Sequence, residues 1–70
     1  MTDGVGLKTA IEESGVSITF LANRLGCSRN RIYAIIDGSE CTASEISGLT
    51  KLLHLTKAKR DQIFLSGNVN

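Results

Sequence analysis

Apolar residues recur along this chain at helical spacing, three and four positions apart, and small or polar residues break the pattern into five segments. Leu7, Ala10 and Ile11 mark the inner stripe of a first helix from about Val5 or Leu7 to Ser14, with Lys8, Glu12 and Glu13 turned outward and Gly15 as its stop. Ser17 caps a second helix, residues 18–25, whose stripe is Ile18, Leu21, Ala22 and Leu25. Gly26 then stands where the chain needs a positive φ, a conformation that only glycine adopts without steric cost. Ser28 caps a third helix, residues 29–36, with Ile32, Ile35 and Ile36 apolar and Gly38 closing it. Thr42-Ala43-Ser44-Glu45 has the spacing of a capping box, so a fourth helix begins there and runs to about His54 on Ile46, Leu49, Leu52 and Leu53. Thr56 caps a fifth, to about Leu65, with Ile63, Phe64 and Leu65 apolar. Residues 1–5 and 66–70 are expected to be flexible ends of a single domain spanning residues 1–70.

The segment from Ile18 to Gly38 carries the most information. Two helices of about eight residues, joined by a glycine turn and with the small Ala22 where they must approach, make a helix-turn-helix. Leu21-Ala22, Leu25-Gly26, Ser28, Ile32, Ile35 and Gly38 resemble, in identity and spacing, the Cro and lambda-repressor type of phage and bacterial transcription regulators. The likeness extends over nearly the whole chain. Ala43-Ser44-Glu45-Ile46 and Arg60-Asp61-Gln62-Ile63-Phe64 more loosely resemble the small Cro-like regulators of temperate phages. It implies an all-α, five-helix, lambda-repressor-like domain that represses transcription by occupying operator DNA. Many members carry a glutamine at the first position of the first motif helix, where it bonds a phosphate; here that position is Ile18, so the contact is not carried over.

In a helix-turn-helix the second helix enters the major groove with its first residues at the base edges. Arg29 and Asn30 hold those places, and they are the side chains that pair in bidentate fashion with guanine and adenine. Tyr33 and Ala34 follow one turn on and complete the expected base contacts, Ala34 through a thymine methyl. Arg24, Ser28 and Arg31, with the helix start at Thr42 and Ser44, are the expected phosphate contacts. Phe20, Lys57, Lys59, Arg60, Ile63, Phe64 and Leu65 are candidates for contact with a partner or a second subunit, with an intramolecular core place, against the fifth helix, favoured for Phe20 and a plain solvated face favoured for the basic cluster of residues 57–60.

Size and charge sharpen this picture. A chain of 70 residues buries only about 60% of the surface its unfolded form exposes, so a homodimer on DNA would add stability. The net charge of +1 is a weak footprint for nucleic acid, but its distribution is not: Arg24, Arg29 and Arg31 lie in a stretch from Ser14 to Ile36 that contains no acid. No apolar run reaches the roughly 20 residues of a membrane span, and no signal segment is visible, so a cytoplasmic protein is expected.

Other chemistry finds little support. Cys27 and Cys41 lack metal-ligand spacing and are expected as a buried small hydrophobe and a loop thiol. His54 stands alone beside leucines, and Gly4-Val5-Gly6 lacks the third glycine of a dinucleotide site. No nucleophile with a base, no carboxylate pair and no small-molecule or cofactor site is evident, so the expectation is a non-enzyme without cofactor or metal. The alternative is an antirepressor, in which the same surfaces bind a partner repressor protein.

Overall fold

The computed structural model, in which residues 2–65 are described, contains α1 (Gly4–Ser14), α2 (Ile18–Leu25), α3 (Arg29–Ile36), α4 (Ala43–Leu52) and α5 (Lys57–Phe64), and no strand among those residues. Met1 and the 66–70 tail lie outside them. Each helix starts at a side-chain oxygen that accepts a first-turn N–H: Asp3 from Gly6, Ser17 from Phe20, Ser28 from Arg31, Thr42 from Glu45 and Thr56 from Lys59. Such a cap is worth about 1 kcal/mol, a large share of what holds an eight-residue helix.

The helices enclose one core. α3 packs against both α1 and α2, α4 packs on α2, and α5 closes the side between α1 and α4. Every helix sends at least one fully buried side chain inward: Leu7, Leu21, Ile32 and Ile35, Leu49, and Ile63. Ala22 of α2 is also buried, as expected of the small residue on its inner stripe. Cys27 is half-buried against this core rather than enclosed by it.

The start of the chain differs from expectation. Residues 2–5 are tied down: the Asp3 N–H donates to the Ile63 carbonyl at 2.6 Å, and the buried Thr2 hydroxyl lies 3.6 Å from the Cys41 Sγ. Cys41 is therefore a half-buried thiol with a partner, and burial pushes its pKa up. Gly4 opens α1 against the end of α3 so closely that a Cβ there would overlap the Ile36 carbonyl.

Three helices end in the same way. An N–H two or three residues beyond the last helical residue reaches back to a carbonyl five residues earlier: Cys27 to Ala22, Ser39 to Ala34 and Leu55 to Thr50, each at 3.0 Å. The residue before the closing donor is left-handed in each case, at φ 72° for Gly26, 107° for Gly38 and 54° for His54. α4 thus stops at Leu52, short of the expected His54, because His54 is the residue that turns the chain. No helix among the described residues is long and apolar enough to cross a membrane.

Two substitutions at equivalent positions should have opposite signs. A Cβ at Gly26 meets nothing within 4 Å, so Gly26→Val isolates the backbone cost of a β-branched residue at positive φ, about 1–3 kcal/mol. His54→Gly should relieve that cost and stabilise the domain by up to about 1 kcal/mol, raising Tm by roughly 4–8 °C. Thermal melts followed by circular dichroism decide the matter; a wild-type Tm for Gly26→Val would contradict the turn geometry.

Candidate nucleic-acid interface

α3 has a buried side and an exposed side, with Arg31, Ala34 and Ile36 between them. Ile32 and Ile35 are fully buried, and that fixes the helix rotation so that Arg29, Asn30 and Tyr33 all point to solvent. Positions 29, 30 and 33 are neighbours at i, i+3 and i, i+4 spacing, so the three side chains form one contiguous patch. Tyr33 is 51% exposed and Ala34 half-buried, which places Ala34 at the rim of the patch rather than in it. Asp37 caps the far end of α3, so the exposed face runs from cationic at its start to acidic at its end.

Tyr33 has a second neighbourhood. With Ile11, Ile18, Ile36, Lys8 and Glu12 it lines a hollow of about 270 Å³ where α1, α2 and α3 meet. Ile18 packs against the core and forms part of this apolar wall.

The expected phosphate contacts fare unequally. Arg24 is exposed on α2, with its guanidinium carbon 5.8 Å from the Phe20 ring centroid, a cation–π distance that orients the charge while leaving it in water. Ser28 and Thr42 use their hydroxyl oxygens as caps, to Arg31 at 3.2 Å and to Glu45 at 3.1 Å, and each keeps a hydroxyl proton to donate. Ser44, in the first turn of α4, is exposed.

Arg31 is engaged within the protein. Its Nε donates to Glu45 Oε2 and its Nη2 to Glu45 Oε1, both at 2.8 Å, and Nη2 also donates to the Glu40 carbonyl at 2.8 Å. Those donors serve the protein itself rather than a free phosphate contact. The Glu45 carboxylate additionally accepts the Thr42 N–H at 2.9 Å, completing the capping box. The hydrogen bonds from Arg31 are the chief reason that the Glu45 pKa falls to about 2, and the same bonds push the Arg31 pKa up. The acid-free stretch read from the sequence is therefore not acid-free in space: Glu45 folds back onto it from α4.

The expected partner contacts also divide. Ile63 and Phe64 are core residues, since α5 turns them toward α1 and α4, and they offer no surface to a partner. Leu65 remains 44% exposed. Phe20 is 42% exposed and stacked with Arg24, not packed on the fifth helix, because α2 and α5 are not in contact. Lys57 is exposed and Lys59 half-buried, while Arg60 leans on Asp61 with both bonds at 3.0–3.1 Å. This basic cluster lies on α5, which packs on neither α2 nor α3, so the fold does not join it to the Arg29 patch.

No group of histidine, cysteine and acidic side chains able to hold a metal occurs among the described residues. Comparisons with protein-family models, with curated proteins and with solved structures find no match to this chain.

Glu45 also sets a pH dependence. Its folded pKa lies below the unfolded carboxylate value of about 4.3, so its contribution to stability is complete above that pH and is lost as pH falls toward about 2. Urea midpoints measured between pH 5 and pH 2 should drop more steeply for the wild type than for Glu45→Gln. Parallel curves would show that the ion pair contributes nothing to folding.

Proposed function

We propose that this chain is a sequence-specific DNA-binding transcriptional regulator of the lambda-repressor-like helix-turn-helix type. In this reading α2 and α3 are the motif, and α3 enters the major groove of operator DNA. The observation that carries the reading is the patch of Arg29, Asn30 and Tyr33 on the outer face of a helix whose inner face is locked into the core by Ile32 and Ile35. A bidentate donor, an amide and a phenol so placed can read base edges, and the rigid core makes the reading selective. The Asp37 end of α3 is repelled by phosphate, so the Arg29 end leads into the groove.

Around that patch, Arg24, Ser28 and Ser44 would hold the phosphates, with Arg24 supplying charge and Ser28 and Ser44 supplying hydroxyl donors and first-turn amides. A small domain of this kind binds a two-fold operator as a homodimer with half-sites about one helical turn apart. Repression then follows from occupancy of a promoter, in the cytoplasm, without a cofactor.

A second reading has one observation in its favour. Phe20 and Tyr33 are aromatic, exposed and accompanied by Arg24 and Arg29, the composition typical of protein hot spots, so an antirepressor that docks these residues on a partner repressor is the rival.

Asn30 separates the two. A pool of duplexes with a randomised centre, enriched by the wild-type protein, supplies the binding sequence. Asn30→Ala should then weaken the enriched duplex by about 1–3 kcal/mol and leave binding to a scrambled duplex unchanged, whereas Arg29→Ala should weaken both. Footprinting should show two protected half-sites at saturation. Failure to enrich any sequence, with association to a repressor lost in Asn30→Ala, would replace DNA reading by the rival.

A further inference from the structure

α3 and α4 do not pack side by side; they are connected by the loop of residues 37–42 and, across space, by Arg31 and Glu45. Two parallel bonds fix the plane of the guanidinium against the carboxylate, and a third from Nη2 fixes the loop carbonyl of Glu40. The same carboxylate holds the first N–H of the α4 cap. Three chain segments, the first turn of α3, the loop and the start of α4, thus converge on two side chains. Arg31 is adjacent in sequence to Asn30 and lies two residues from Arg29, so the clamp holds the very turn that presents the reading patch.

We infer that Arg31 and Glu45 form a specificity-determining clamp, which positions the first turn of α3 and the start of α4 relative to each other so that base and phosphate contacts are met together. This rests on the DNA-binding reading above and assigns Arg31 a role within it that differs from a phosphate contact. A phosphate contact contributes charge to every duplex alike and raises the salt dependence of binding. A positioning residue contributes only where register matters, on the correct sequence. The two roles therefore leave different traces.

The test uses the enriched duplex, a scrambled duplex and four proteins: wild type, Arg31→Met, Glu45→Gln and the double variant. Glu45→Gln keeps one oxygen to accept the Thr42 N–H, since glutamine serves in a capping box, and replaces the other, together with the charge, by an amide donor, so the bidentate grip on Arg31 is lost. Circular dichroism melts set a temperature at which all four are folded. The clamp predicts that each single variant loses about five- to tenfold in affinity for the enriched duplex. It also predicts an unchanged salt slope, unchanged scrambled-duplex binding for Glu45→Gln, and a double variant no worse than either single one. Overturning results are a salt slope reduced by about one in Arg31→Met, or tighter binding to both duplexes in Glu45→Gln, since a released Arg31 would then be reaching phosphate. A failure of the DNA reading itself looks different: no duplex is enriched and Arg29→Ala and Asn30→Ala are silent as well, and the clamp falls with it.

Discussion

The structure depends on the fact that none of its helices can stand alone. The longest has 11 residues and three have eight, lengths at which an isolated helix in water is marginal at best. Two devices compensate. Every N-terminus is capped by a side-chain oxygen, and every helix surrenders at least one fully buried leucine or isoleucine to a common core. α3 bears the most of this burden, with two fully buried isoleucines in eight residues and contacts to both α1 and α2. Its exposed face is free to vary chemically because the buried isoleucines of its inner face fix its rotation on the core. That division lets one short helix be both a structural wedge and a presenting surface.

What was legible in the sequence is what is local. Gly26, Ser17, Ser28, Thr42 and Thr56 announce helix ends through conformational and hydrogen-bonding preferences that act over a few residues, and the boundaries of α2 and α3 follow from them. Asp3, which accepts from the Gly6 N–H, is a cap of the same kind in a stretch expected to be flexible. What was not legible depends on the approach of distant segments. The overlap that a Cβ at Gly4 would make with Ile36, and the bond between Thr2 and Cys41 across 39 positions, exist only once α1 has docked. The burial of Ile63 and Phe64 belongs here too, because an apolar helix end reads the same whether it faces its own core or a partner.

Electrostatics shows the same limit most clearly. Counting charges between Ser14 and Ile36 gives three arginines and no acid, yet Glu45 returns across 14 positions to occupy Arg31. Of the three, Arg24 and Arg29 are the exposed ones, and they stand on different helices. The field at the α2–α3 face is thereby weaker in sum and more discrete in placement than the sequence suggests. If the face does meet DNA, two discrete cations leave less of the sequence-blind attraction that a broad basic patch would supply.

The position of Glu45 explains how an acid can sit beside this face at small cost to it. An acid on α3 itself would project its charge toward any phosphate lying along the patch. At the third position of α4, the carboxylate instead faces the Thr42 N–H and the positive end of the α4 dipole on one side and the Arg31 guanidinium on the other. With these partners its charge is compensated locally, and a pKa near 2 is the thermodynamic expression of that compensation. The ion pair so formed is nearly neutral as a unit and directional in its hydrogen bonds, and so it contributes geometry rather than field. Under the proposed DNA-binding reading, charge for attraction is left to Arg24 and Arg29 and charge for alignment to Arg31 and Glu45, so a chain with a net charge of only +1 would separate the two tasks of a nucleic-acid interface.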